Sequence, residues 1–169
     1  MNRIIKSIAV LLSMSVLIAC GSSMQVKKPL NLAGVDQSTA RSYQIRNVKS
    51  ENEDVPEHFM EMIRSNLKVE LAKRHLLANE NSDPEFYIDI AITNYRMRGD
   101  IARFMLGVFA GKDGVESIVS IRDPKTEELA GETDVSTYNI TAIGSMDEIA
   151  RMHAEEIAKF LAEGTTGSQ

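Results

Sequence analysis

The sequence predicts an α+β domain of two layers, in which a four-stranded, mainly antiparallel sheet carries two amphipathic helices on one face. Three observations lead to this fold class. Residues 85–95 alternate with period two, residues 56–77 carry an apolar stripe of period four, and a turn at residues 123–126 separates two strand-like segments. The predicted element order is β-α-β-loop-β-β-α, within a single domain that covers residues 42–163.

The first strand and the first helix are adjacent in the sequence. Apolar and polar side chains alternate from Tyr43 to Arg46, which favours a strand over residues 42–49. Pro56 suits the first turn of a helix, where its missing N–H is not needed. Apolar residues then recur every four positions and predict a helix that ends near Leu77. This stripe consists of Phe59, Ile63, Leu67 and Leu71.

The remaining strands are predicted in the second half of the chain. Residues 85–95 place apolar side chains at every second position, as a strand with one buried face requires. These side chains are Phe86, Ile88, Ile90 and Ile92. Residues 115–122 and 129–138 are predicted to pair as an antiparallel hairpin, because the turn between them combines aspartate with proline.

A capping box predicts the start of the second helix. The side chains of Ser145 and Glu148 can each accept a hydrogen bond from the other's backbone N–H. The helix is expected to end at Gly164, and residues 164–169 to form a C-terminal tail. Its apolar side consists of Ile149, Met152, Ala154, Ile157, Ala158 and Leu161.

The first nineteen residues have the features of a targeting signal. Arg3 and Lys6 precede an apolar run at residues 8–18, which is too short to span a bilayer. The run leads into Leu-Ile-Ala-Cys, with Cys20 followed by Gly21. This pattern resembles the signal of bacterial lipoproteins. The resemblance implies that residues 1–19 are removed and that Cys20 becomes an N-terminus anchored to the membrane by acyl chains such as palmitate.

The composition around Cys20 is consistent with export. Cys20 is the only cysteine, so no internal disulfide can form. Acylation also removes a free thiol that would be oxidised in an oxidising compartment. Residues 20–41 are rich in small and polar residues and are expected to form a flexible tether with a reach of roughly 25 Å. By resemblance to lipoproteins, Gly21 in place of an aspartate implies the outer membrane, with the domain facing the periplasm.

The charge of the processed chain argues against nucleic-acid partners. Removal of Arg3 and Lys6 with the signal takes the formal net charge from −5 to −7. An acidic chain repels a phosphate backbone, and the absence of tryptophan removes the strongest base-stacking side chain.

The glycines of the central segment do not match a nucleotide-binding loop. That loop requires four residues between its glycines and Ser or Thr after its lysine. Three residues separate Gly107 from Gly111, and Asp113 follows Lys112. No nucleotide ligand is therefore expected.

The histidines and potential nucleophiles form no recognisable catalytic or metal-binding pattern. His58, His75 and His153 are not spaced as metal ligands, and all three are expected to face solvent. No serine or pair of carboxylates has the setting of a nucleophile or of an acid–base pair. We therefore expect a protein that is not an enzyme and that holds neither metal nor cofactor.

Residues 96–112 are the candidate docking loop, because basic and apolar side chains alternate there with glycines. One interpretation is a loop whose apolar residues pack under the sheet as core. The other is a partly exposed basic and apolar surface that binds a protein partner or a membrane. The candidate residues are Arg96, Arg98, Arg103, Phe104, Gly107, Gly111 and Lys112.

The motif Arg-Phe-x-Leu-Gly-x-x-Ala-Gly-Lys at residues 103–112 precedes a strand, the turn at residues 123–126, a strand and a helix. This arrangement resembles a family of bacterial envelope lipoproteins known only as a domain of unknown function. The resemblance covers residues 42–163, although the family turn usually has glycine where this chain has Glu127. It implies an α+β lipoprotein domain with no catalytic residues, loosely similar to auxiliary lipoproteins of envelope transport and assembly.

Two functions are consistent with these features. The first is a non-enzymatic outer-membrane lipoprotein that acts in envelope assembly or transport through contacts with an unidentified envelope protein. The alternative is a periplasmic carrier of a small ligand or lipid, which would need a cavity between the sheet and the helices.

Overall fold

The computed structural model describes residues 20–31, 41–79, 83–97, 112–139 and 145–163. The predicted signal peptide, part of the predicted tether and the predicted tail lie outside these residues. Neither described helix is long and apolar enough to cross a bilayer. The elements are β1 (Cys20–Lys28), β2 (Tyr43–Ser50), α1 (Glu57–Lys73), β3 (Phe86–Arg96), β4 (Asp113–Arg122), β5 (Leu129–Asn139) and α2 (Met146–Glu163).

The described strands form one five-stranded mixed sheet with the order β1-β5-β4-β3-β2. β2 and β3 are parallel, and the other neighbouring strands are antiparallel. The predicted four-stranded, mainly antiparallel sheet is therefore wrong. Residues 20–28, which were assigned to a flexible tether, pair along β5 as an additional edge strand.

β1 was missed because its own sequence has little strand propensity. Glycine, serine and lysine dominate it, and only Met24 and Val26 provide an apolar alternation. Both side chains are partly buried against the core. Their pairing with Val135 and Thr133 places them on the same face as the buried residues of β5. The partner strand thus supplies the stabilisation that the local sequence lacks.

Both helices pack on one face of the sheet, as predicted, and the core lies between the layers. Alternate residues of each central strand are buried there, and the intervening residues form what we call the open face. No described helix covers the open face. Fully buried core residues include Phe59, Ile63, Leu67, Leu71, Ile88, Ile90, Val119, Ile121, Ile149, Ile157 and Leu161.

The helix ends are held by side chains at both ends of the domain. Ser145 Oγ accepts a hydrogen bond from the backbone N–H of Glu148 at 3.1 Å, which is one of the two bonds of the predicted capping box. The last turn of α2 has no basic side chain of its own. Instead Arg41, just before β2, donates to the carbonyls of Leu161 and Ala162 at 3.1 and 2.7 Å. A cation at this position also interacts favourably with the helix dipole.

A buried histidine joins α2 to three strands. His153 Nε2 lies 2.7 Å from Ser117 Oγ of β4, and its Nδ1 lies 3.0 Å from Thr137 Oγ1 of β5. Thr137 Oγ1 in turn lies 3.1 Å from Ser22 Oγ of β1. We call these four residues the His153 chain.

The expectation that His153 faces solvent is wrong. Its side chain is fully buried, whereas His58 and His75 are exposed as expected. His153 follows Ile149 by four positions and precedes Ile157 by four, so it occupies the buried stripe of α2. Burial lowers its pKa to about 3.

We expect the pH dependence of stability to report this burial. The folded pKa of His153 lies near 3 and its ordinary value is 6.5, so the unfolded chain binds more protons between these values. The free energy of unfolding should therefore fall as the pH falls through this window, by at most about 1.4 kcal/mol for each pH unit. Urea unfolding measured from neutral pH to about pH 4 checks this.

The variant His153→Gln is the control for this measurement. Its amide can donate and accept hydrogen bonds as the neutral imidazole does, but it does not titrate. Carboxylates titrate in both proteins, so the difference between the two pH profiles isolates the histidine. The same pH dependence in both proteins would contradict the assignment.

Candidate functional site

Two predicted docking residues, Arg96 and Lys112, lie at the same end of the sheet as Cys20. Cys20 begins β1 and pairs with Asn139 of β5, which pairs with Asp113 of β4. Lys112 directly precedes Asp113, and Arg96 is the last residue of β3. Since neighbouring strands are about 4.8 Å apart, the backbones of Cys20 and Asp113 are separated by about 10 Å. We call this the Cys20 end of the sheet.

The other residues of the predicted docking loop lie outside the described residues: Arg98, Arg103, Phe104, Gly107 and Gly111. Arg96 and Lys112, at the ends of that segment, are both exposed. Their exposure agrees with a surface position for the two ends. Whether the apolar residues between them are core or surface stays a prediction.

A stack of three residues occupies the open face at the Cys20 end. The Lys112 ammonium lies 4.4 Å from the centre of the Tyr138 ring, within the range of a cation–π interaction. The Tyr138 ring also covers Gly21, the residue after Cys20. A β-carbon at Gly21 would lie 2.8 Å from Tyr138 Cζ, so a larger residue would displace the ring. Gly21 therefore has a packing role in the folded domain.

A charged cluster occupies the opposite end of the open face. Arg46 of β2 binds Asp89 of β3 through two bonds, Nε to Oδ1 at 3.0 Å and Nη2 to Oδ2 at 2.6 Å. The Nη1 of Arg46 also binds both carboxylate oxygens of Glu127, at 2.8 and 2.7 Å. Arg122 donates to the Glu127 carbonyl at 3.0 Å. We call these four residues the Arg46 cluster.

The electrostatics of the Arg46 cluster indicate a structural role. Burial alone would raise the pKa of Asp89, but hydrogen bonds from Arg46 and Asn47 hold that pKa below its ordinary value. Glu127 adopts a left-handed backbone with φ of 58°, a conformation that most side chains avoid. Its carboxylate contacts Arg46 from this turn, so the ion pairs link the β4–β5 turn to β2. The Arg46 guanidinium already has carboxylate partners and is not poised to bind a free anion.

The His153 chain contains a serine–histidine pair that resembles a nucleophile and its base. The 2.7 Å separation of Ser117 Oγ from His153 Nε2 fits such a pair. However, both residues are at most 1% exposed, and the second imidazole nitrogen faces Thr137 in place of a carboxylate. A substrate cannot reach this serine without opening the core, so the geometry supports a structural role. Within the described residues, no three metal-binding side chains cluster together.

The open face carries a concavity of about 530 Å³ near its centre, lined by both polar and apolar residues. Side chains of β1, β3, β4 and β5 line it, and Ile118 contributes an apolar patch. Lys27 Nζ binds Asp134 Oδ1 at its margin, at 2.7 Å. Its polar lining consists of Ser23, Gln25, Thr93, Glu116, Asp134 and Ser136. Such a surface suits hydrogen bonding with a partner more than enclosure of an apolar ligand.

The sequence did not predict the contacts that Tyr138, His153 and Arg46 make between distant elements. The position of His153 on the apolar stripe of α2 was a usable signal, because its spacing from Ile149 and Ile157 is four residues. No local signal identifies the other two. Their partners Lys112 and Glu127 are brought close only by the pairing of the strands.

Comparison with solved structures identifies the fold. The PelC dodecamer from Paraburkholderia phytofirmans is similar over 87% of this chain and 100% of its own, at 7% identity and a TM-score of 0.55. A provisionally assigned lipoprotein from Caulobacter crescentus is similar over 68% of this chain and 88% of its own, at 18% identity and a TM-score of 0.41. No curated protein matches the chain.

The family assignment rests on sequence. The family described as "Domain of unknown function (DUF4410)" matches residues 22–163. The match begins two residues after Cys20, so it includes most of β1, whereas the predicted resemblance began only at residue 42. It confirms that the family has no known function, and it leaves the glycine-containing motif untested. The chain therefore belongs to the family DUF4410, a domain of unknown function.

Proposed function

We propose that this protein is a non-enzymatic lipoprotein of the cell envelope, anchored through acyl chains on Cys20 and acting through protein contacts in envelope assembly or transport. The observation that carries the proposal is the signal-like sequence that ends at Cys20. Within the described residues, β1 spans Cys20–Lys28. A cut before Cys20 would therefore leave every residue of β1 on the mature chain.

The outer membrane is the proposed location, with the domain facing the periplasm. This part of the proposal is supported by Gly21, which by resemblance to lipoproteins does not retain the protein in the inner membrane. Gly21 also packs beneath the Tyr138 ring, so the fold favours a small residue at this position for an independent reason.

The open face and the outer edge of β1 are the proposed contact surface. No described strand pairs with the outer edge of β1, so its backbone groups can bind another chain. Lys27 and Lys28 are exposed on this edge strand and discourage uncontrolled strand addition. A protein of similar fold, PelC, is a dodecamer. A second copy of this chain is therefore the partner that we propose first.

The carrier hypothesis receives no support from the described residues. It requires space between the sheet and the helices, where the side chains of Ile63, Ile90 and Ile157 are fully buried. The concavity on the open face lies outside this layer, on the side of the sheet away from the helices, and it is partly open to solvent. We therefore do not propose the carrier function.

We expect Cys20→Ala to accumulate as an uncut precursor that carries no acyl chain, because the thiol is the acceptor. Metabolic labelling with radioactive palmitate, together with the mobility of the protein on a denaturing gel, measures both effects. Ser23→Ala is the matched control, because Ser23 is exposed and close to the cut position. Label retained by Cys20→Ala would contradict the proposal.

We also expect contacts to involve the open face rather than the outer side of the helices. A photo-crosslinking residue at Gln25, exposed on β1, should give a discrete adduct in intact cells, with the mass of two chains if the partner is a second copy. The same residue at Lys159, exposed on α2, should give no such adduct. Identical patterns at both positions, or no adduct at either, would argue against this surface.

A further inference from the structure

The Cys20 end of the sheet has no spacer between the predicted lipid attachment point and the folded domain. A tether of about twenty residues would allow a reach of roughly 25 Å from the membrane. In the structure, the backbone of Cys20 is already paired with Asn139, and Gly21 is paired with Tyr138. Acyl chains on Cys20 would therefore emerge directly from the edge of the sheet.

Two basic side chains, Arg96 and Lys112, lie near this point on the side of the open face, where Glu116 is the exposed acidic side chain beside them. Lys112 is exposed, and its backbone lies about 10 Å from that of Cys20, two strand spacings away. Arg96 is also exposed, and it pairs with Gly114 three strands from Gly21, at about 14 Å. These cations stand out in a chain whose formal charge is negative. Anionic lipid phosphates attract such cations.

Tyr138 gives the same surface an amphipathic aromatic ring. It lies between Lys112 and Gly21 and is only partly buried. Tyrosine is enriched where membrane meets water, because its ring is apolar and its hydroxyl group is polar.

The helix layer near this end carries the opposite charge. Glu51, Glu53 and Asp54 follow β2, Glu57 begins α1, and Asp147 lies at the start of α2; all are exposed. Anionic lipids would repel these carboxylates. The charge distribution therefore favours contact through the open-face side of the Cys20 end, with the helix layer turned away.

We infer that the lipidated protein rests directly on the bilayer through the open-face side of the Cys20 end, with Arg96 and Lys112 bound to anionic lipid phosphates and Tyr138 at the headgroup level. This inference rests on the proposed lipidation of Cys20. It assigns one lipid-binding surface and leaves the outer edge of β1 and the far part of the open face accessible to partners.

Two tyrosines provide a matched test. Tyr138 and Tyr87 both lie on the open face, and each has a cation over its ring, Lys112 at 4.4 Å and Arg46 at 5.0 Å. They pair with Gly114 and Arg122 of β4, so they lie about 27 Å apart along the strand direction. The chain has no tryptophan, so a single introduced tryptophan reports its own depth.

The experiment uses the mature, lipidated variants Tyr138→Trp and Tyr87→Trp in vesicles of phosphatidylethanolamine and phosphatidylglycerol with brominated acyl chains. We expect Tyr138→Trp to lose most of its emission relative to unbrominated vesicles, and Tyr87→Trp to be unaffected. Adding Lys112→Gln and Arg96→Gln to Tyr138→Trp should weaken the quenching. If Tyr138→Trp does not fold, Asn94→Trp, exposed near the same end, replaces it.

The outcomes separate this inference from the proposed function. Mass spectrometry of the same samples reports the acyl chains on Cys20. Acylated protein with neither tryptophan quenched would show that the domain stands away from the bilayer, which overturns the inference and preserves the lipoprotein assignment. Equal quenching of both tryptophans would mean that the whole open face lies on lipid, which also overturns it. Protein without acyl chains would instead refute the proposed function.

Discussion

The His153 chain is the interaction on which the arrangement of the sheet against α2 depends. The His153 imidazole is hydrogen-bonded to the hydroxyl groups of Ser117 on β4 and Thr137 on β5. The Thr137 hydroxyl group is also hydrogen-bonded to Ser22 on β1. Because all its buried members have hydrogen-bond partners, the network avoids the penalty of an unpaired polar group in a core. It also selects one position of α2 over the sheet, since the hydroxyl groups accept only one placement of the ring.

The His153 chain also helps to fix the position of Cys20, where a lipid anchor would be attached. Ser22 lies two residues after Cys20, so the bond from Thr137 holds the start of β1 in the sheet. Gly21 between them packs under Tyr138. A segment of weak strand propensity is in this way ordered by side-chain contacts from β5. An anchor attached to it would orient the domain as well as tether it, which a flexible linker could not do.

The two ends of the open face are stabilised differently. At the far end, the Arg46 cluster satisfies its charges internally and holds the β4–β5 turn, including the left-handed Glu127, against β2. At the Cys20 end, Lys112 contacts an aromatic ring, which leaves its ammonium group accessible for a second interaction. The charges of the Arg46 cluster are thus used within the fold, whereas the Lys112 ammonium group can still contact a group of opposite charge.

The sequence alone determined the elements that have their own periodicity. The stripe from Phe59 to Leu71 and the alternation from Phe86 to Ile92 predict α1 and β3, because a helix and a strand each bury one face at a characteristic spacing. Cys20 was predicted as the lipid attachment point in the same way, from a local pattern, and this stays a prediction. Tertiary structure alone decided that residues 20–28 form β1 and that Cys20, Arg96 and Lys112 share one end of the sheet. These features depend on pairing between residues far apart in the chain, and the local sequence of one strand does not identify which distant strand it pairs with.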